Sequence, residues 1–241
     1  MNKTVNYIGR DVVYGIGRRL SLALFPPRCL LCGEPGGGGL DLCQPCNRNL
    51  PWLGVACRRC ALPLPASETA GICGACQRGR SPLQQVRAAF LYQAPLNALV
   101  LRFKFHRDLS AGRLLAMLMA QALAGAERPQ ALVPVSLHLG RLRQRGYDQS
   151  LELAKPLGRA LQLPVCTLLQ RRHATAPQSE LDQAARRRNL RSAFTVAGSV
   201  PAHVALVDDV MTTGATAQAA ARALHRAGAT RVDAWVVARV P

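Results

Sequence analysis

Apolar positions change rhythm along the chain. Val12, Val13, Ile16, Leu20 and Leu24 recur at helical spacing, which predicts a short amphipathic helix within residues 1–25. Residues 26–80 break the period: glycine and proline crowd GEPGGGG and ALPLPA, and apolar side chains are too sparse there to close a core. From residue 81 to residue 241 short apolar runs alternate with helical patterns. VRAAFLY, Val86 to Tyr92, reads as a strand from its aromatic and β-branched content. Helical spacing follows through LNALVLRFKF and LSAGRLLAMLMAQALAG, then a short strand in ALVPVS and a helix from about Gln149 to Leu161. The stretch Thr167 to Arg188 is polar and rich in arginine; AHVALV, a helix from Ala215 to Ala227 and TRVDAWVVARV close the pattern. Short strands that are apolar throughout are buried on both sides. The expected fold class is therefore α/β, a mostly parallel sheet with helices on both faces, preceded by a small cysteine-rich domain.

Composition narrows the classes. Hydrophobic residues are 49% of the 241, enough for a packed core and too many for a disordered polybasic chain. No run of about 18 apolar residues is present, so no transmembrane helix is expected. The first twenty residues lack a secretory signal's continuous apolar segment and cleavage site. A cytoplasmic protein is expected, with the N-terminal helix docked on the protein itself or, alternatively, lying at the inner face of the membrane. Basic residues outnumber acidic ones 31 to 13, a formal charge of +18, and 28 of the 31 are arginines. That field attracts polyanions (nucleic acid, phosphorylated metabolites, acidic lipid) without choosing among them.

Eight of the nine cysteines form four CxxC pairs: Cys29/Cys32, Cys43/Cys46, Cys57/Cys60 and Cys73/Cys76. This is the knuckle spacing by which two thiolates grip one tetrahedral zinc, so the segment predicts two structural four-cysteine sites and a double zinc ribbon. Metal then replaces hydrophobic burial as the source of folding energy. A disulfide framework would need an oxidising compartment, and a redox pair would explain only one of the four. Sequential pairing gives two ribbons; interleaved pairing gives a cross-brace. Cys166, alone in LPVCTLL, is expected in a buried strand.

The densest chemistry lies in LVDDVMTTGAT, Leu206 to Thr216. A strand ends in two carboxylates, and a turn of threonines around Gly214 opens an alanine-rich helix. Ligands of open α/β sheets bind at that end of the strands. Thr212, Thr213 and Thr216 supply hydroxyls, Gly214 lets the backbone approach, and free amides at a helix start favour a phosphate. Asp208 and Asp209 suit sugar hydroxyls or a nearby cation instead. A sugar 5-phosphate meets every part of the turn; the bland alternative is a capped helix with solvated aspartates.

VALVDDVMTTGAT resembles the signature loop of the type I phosphoribosyltransferases, which bind phosphoribosyl pyrophosphate (PRPP) with magnesium. The resemblance implies that Asp208 and Asp209 clamp the ribose hydroxyls. It also implies that Met211, Thr212, Thr213, Gly214, Ala215 and Thr216 cradle the 5-phosphate. FLYQAPLNALVLRFKFHRD, VPVSLHLGRLRQRGYDQS, PQSELDQAARRRNLRSAF and the signature loop, in that order after a CxxC-rich head, resemble the ComF family of competence and DNA-utilisation proteins. That likeness spans Pro26 to Val240 and implies a phosphoribosyltransferase-like domain behind the zinc ribbons. Two departures are visible: the family's PVP is Pro134-Val135-Ser136, and its RGFNQ is Arg145-Gly146-Tyr147-Asp148-Gln149. Asp148 brings a negative charge beside the expected pyrophosphate loop, so it suits a helix cap better than a phosphate contact.

The opposite charge is supplied by residues 141–191, with eleven basic side chains against four acidic ones. Arg145 and Gly146 are the expected pyrophosphate loop, Arg145 joining the two aspartates as a catalytic candidate. Arg141, Arg143, Arg186, Arg187 and Arg188 are nucleic-acid candidates, because guanidinium forks suit phosphate oxygens. Three functions follow. The first is a ComF-type protein that binds PRPP and single-stranded DNA and acts with competence machinery. The second is a metabolic phosphoribosyltransferase with an unidentified acceptor. The third is a PRPP-sensing module without transfer.

Overall fold

A computed structural model of the protein describes residues 26–65, 71–136, 146–171 and 193–241. The expected N-terminal helix lies outside them. The chain divides into two compact units, one ending at Asn49 and the other running from Leu50 to Pro241.

The described part of the first unit is one cysteine ribbon. Arg28 bridges Pro35, the Cys29 amide donates to the Glu34 carbonyl at 2.7 Å, and the Gly33 amide returns to the Cys29 carbonyl at 2.9 Å. A short helix, α1 (Gln44–Arg48), starts at Cys43 with proline in its first turn, where a missing N–H costs no hydrogen bond.

The second unit opens with the same device. Ala56 bridges Pro63, the Cys57 amide donates to the Leu62 carbonyl at 2.8 Å, and α2 (Gly74–Arg78) starts at Cys73. Just before this ribbon, residues 51–53 run antiparallel to β1 (Val86–Leu91): Trp52 bridges Phe90, and the Leu53 amide meets the Ala89 carbonyl at 2.9 Å.

The remaining elements are α3 (Leu96–Phe105), α4 (Leu109–Ala122), β2 (Ala131–Pro134), α5 (Gln149–Leu161), β3 (Leu169–Arg171), β4 (Phe194–Val196), β5 (His203–Met211), α6 (Ala215–Arg226) and β6 (Arg231–Arg239). Among the described residues the main sheet has four parallel strands in the order β1-β6-β5-β2, and β3 and β4 form an antiparallel pair. Side chains alternate across a strand, and both sets are apolar here. Val204, Leu206, Val232, Ala234 and Val236 join Ala217, Ala220, Ala221 and Leu224 of α6 in one core cluster. The intervening Ala205, Val207, Trp235 and Val237 are also buried, on the side where α4 meets β1 and β6 and α5 meets β2 and β5. Helices thus cover both faces, as the uninterrupted apolar strands predict.

Cys166 is a departure. It lies outside any named strand and is only partly buried, although its amide donates to the Leu132 carbonyl at 2.8 Å. The apolar run around it serves a single bridge, Leu132 to Val165, before the chain turns away.

Candidate functional site

Strand β5 carries its apolar run into the core and delivers Asp208 and Asp209 at the carboxyl end of the sheet. The chain then turns through Thr212 and Thr213, both exposed, to Gly214 at φ +75°. A β-carbon there would be strained in that conformation and would press on the Met211 sulfur at 3.5 Å. Gly214 is the N-cap of α6 and offers no capping side chain; the Ala215 amide makes only a long bond to the Thr213 hydroxyl, at 3.4 Å. The first amides of α6 face the turn with the positive end of the helix dipole behind them. Asp208 and residues 210–217 enclose a small cavity of about 50 Å³.

The two aspartates differ. Asp209 is 8% exposed and pairs with the Lys104 ammonium at 3.0 Å; its carboxylate also accepts from the Val210 amide at 2.5 Å. Asp208 accepts from the Ser150 hydroxyl at 3.0 Å and from the Asp209 amide at 2.9 Å. Burial, reinforced by the neighbouring Asp209 charge, raises the Asp208 carboxyl to about 7, against the pull of those two hydrogen bonds and of Lys104.

Three residues at this end were missed by the motif reading. Lys104 arrives from the last turn of α3, which buries Leu96, Leu99, Val100 and Phe103 at helical spacing. The Phe103 ring sits so close to α4 that a β-carbon on Gly112 would lie 2.4 Å from it. Ser150, 2% exposed, comes from the first turn of α5, where Asp148 caps the helix by accepting from the Leu151 amide at 3.1 Å. Arg107, at φ +55°, lays its guanidinium beside Gly146, where a β-carbon would meet it at 3.6 Å. The signal for Lys104 was present: it is one of three lysines in a chain with 28 arginines, which marks a place where a compact charge is used instead of a fork.

Next to Ser150, the Gln149 residue is 1% exposed and neither of its amide atoms has a hydrogen-bond partner among the described residues; the Ser136 hydroxyl beyond β2 is likewise buried and without a partner among them. Unsatisfied buried polar groups are costly and rare, so Gln149 at the start of α5 and Ser136 just past the carboxyl end of β2 are candidate ligand contacts. Arg145, Arg141 and Arg143 lie outside the described residues, as do Arg186, Arg187 and Arg188. Two histidines have structural partners: His203 meets Asp233 at 2.9 Å, and His225 spans the carbonyls of Ala229 and Pro82.

The cysteines gather sequentially. Cys29, Cys32, Cys43 and Cys46 form one cluster and Cys57, Cys60, Cys73 and Cys76 the other, with all ligand atoms of a cluster within 4.8 Å of one another. The sulfur separations of 3.6 Å for Cys32–Cys43 and 3.7 Å for Cys60–Cys73 match the roughly 3.8 Å that a tetrahedron with bonds of about 2.3 Å requires. Burial raises the Cys29 and Cys57 thiols, but surrounding backbone amides outweigh it and hold them at about 6 and about 7. Those amides would stabilise metal-bound thiolates in the same way.

A family model for the double zinc ribbon domain matches residues 20–77. The chain is 34% identical over 223 residues to the DNA utilization protein YhgH of Escherichia coli K12, covering 89% of this chain and 97% of that one. The chain belongs to the ComF family. Other ComF relatives are competence protein F of Haemophilus influenzae, 32% identical over 224 residues (88% of this chain, 96% of that one), and competence protein ComFC of Streptococcus pneumoniae, 26% identical over 229 residues (88% and 100%). Among solved structures, the allosteric regulatory enzyme of purine biosynthesis aligns with 53% of the chain and 25% of its own, at 23% identity and a TM-score of 0.38. In this ComF chain the ribbons carry the ligand set of two structural zinc sites, and the α/β unit carries the acidic turn. Among the described residues no helix is long and apolar enough to cross a membrane.

Proposed function

We propose that the protein binds PRPP with magnesium at the carboxyl end of β5, binds single-stranded DNA through its basic surface, and acts with competence machinery in the uptake or use of DNA. The observation that carries the first part is the turn itself: the Asp208 carboxylate, then hydroxyls, then a helix start around one cavity, with Asp209 beside it paired to Lys104. Asp208 and Asp209 suit the ribose 2- and 3-hydroxyls, and Thr212 to Thr216 with the first amides of α6 suit the 5-phosphate. Magnesium would neutralise the pyrophosphate, with Arg107, Gly146 and Arg145 beside it. Gln149 and Ser136 supply the polar contacts that lack partners. The DNA part rests on the names of the relatives and on the +18 charge. With few aromatics in the chain, binding leans on phosphate contacts more than on base stacking.

Calorimetric titration of the zinc-loaded protein with magnesium–PRPP, then with single-stranded DNA in the presence and absence of PRPP, tests both parts. PRPP binding that disappears in Asp208→Asn/Asp209→Asn supports the site; no heat with the wild type overturns it. DNA affinity should fall by at least about tenfold between roughly 50 and 200 mM salt. Salt-insensitive or absent binding removes the nucleic-acid half. Pyrophosphate release with a defined acceptor would identify a transferase, and a raised melting temperature without turnover a sensor.

A further inference from the structure

Arg239 closes β6 and is 7% exposed, yet it has no ion-pair partner among the described residues. Its guanidinium donates only to carbonyls. Nε reaches the Cys60 carbonyl at 2.8 Å, and another nitrogen reaches the Met211 carbonyl at 3.2 Å and that of Val240. Carbonyl dipoles satisfy its hydrogens without cancelling its charge, and an uncompensated buried cation is among the most costly groups a fold can hold.

The two long-range acceptors account for its placement. Cys60 is a ligand-set residue of the second cysteine cluster. Four thiolates around one divalent ion leave such a centre doubly negative, which is the countercharge Arg239 lacks. Met211 is the last residue of β5. Its carbonyl also takes the Val240 amide at 3.0 Å, and its sulfur lies under Gly214. One guanidinium therefore spans from a metal knuckle to the base of the acidic turn, inside one compact unit.

We propose that Arg239 is a positioning residue with two clients: it neutralises the second zinc–thiolate centre, and it fixes the Met211 carbonyl from which the turn Thr212 to Thr216 departs. Loading of the second ribbon is thereby coupled to the shape of the turn. The part concerning PRPP rests on the function proposed above; the part concerning the metal and the backbone does not.

The test uses the full-length zinc-loaded protein with Arg239→Met and Arg239→Lys. Arg239→Met should release zinc from the second ribbon to a competing chelator about tenfold faster or more, as loss of an outer-shell partner does, with first-ribbon release unchanged. Amide hydrogen exchange across Met211 to Thr216 should accelerate in the same variant, whether or not PRPP binds. Arg239→Lys keeps the charge but cannot span two carbonyls, so zinc release should return towards wild type while exchange in the turn stays fast. If wild type binds magnesium–PRPP, both variants should bind it more weakly; if it binds none, the proposed function fails and the first two readouts still decide this inference. Wild-type release and exchange in Arg239→Met would overturn it. So would equal loss of both zincs in the two variants, which marks a merely structural residue.

Discussion

Asp208 titrates where a cell can reach it. Its folded value of about 7 stands above the ordinary 3.8, so the native state holds a proton that the unfolded chain has shed across that interval. This contribution to stability is full below about pH 4 and is lost as pH rises towards 7. Ligand binding runs the other way, because ribose hydroxyls are best held by the carboxylate. PRPP affinity should improve about tenfold from pH 6 to pH 8 and level off, while Asp208→Asn binds weakly with a flatter profile. Identical profiles for the two proteins would show that the titration belongs to the ligand's own phosphates. Lys104 helps to keep Asp208 ionised, so Lys104→Met should move the midpoint upward and weaken binding on the acid side. An unmoved midpoint would remove Lys104 from the site. The aspartates and threonines of this turn were legible because their chemistry is written in one contiguous stretch. Ser150 was not, and Lys104 was marked only by its rarity, since each meets the aspartates through packing of a helix distant in sequence.

At the scale of elements, the strands were the easiest to read. VALV in β5 and WVVA in β6 are buried on both sides, and a short apolar run without alternation is what a strand covered on both faces requires. The CxxC spacing announced the ribbons but left two pairings open. The choice is made by backbone bonds that bring each second knuckle back onto the first, from the Leu30 amide to the Asp41 carbonyl at 3.0 Å and from the Arg58 amide to the Gly71 carbonyl at 2.9 Å, which no side chain encodes. The contact between α3 and α4 is a second such case. Gly112 looks like an expendable helix residue, yet Phe103 occupies the space where its side chain would stand. Gly112→Ala should cost about 1–3 kcal/mol by overpacking, in spite of alanine's better helix propensity. Adding Phe103→Leu should recover part of that loss in chemical denaturation. Simple additivity of the two changes would show that they do not share this contact.

For the whole molecule, composition indicated a packed core and an anion-seeking surface and the alternation of apolar runs an α/β unit, whereas the strand order β1-β6-β5-β2 depends on registers between residues far apart in sequence. β1 lies at the end of that order, yet its outer edge is not bare. Residues 51–53 run along it, and the Val86 amide donates to the Arg58 carbonyl at 2.7 Å, so the metal-dependent segment lies along the sheet's open side. An uncovered strand is a template for pairing with another chain. A chain shortened to residues 81–241 should therefore self-associate in a concentration-dependent way by light scattering, while residues 50–241 with zinc stay monodisperse. Stripping zinc from the longer piece should reproduce the behaviour of the shorter, and a shorter piece that stays monodisperse would refute the idea. The second ribbon would then be a guard against aggregation, and zinc scarcity would threaten the protein's solubility.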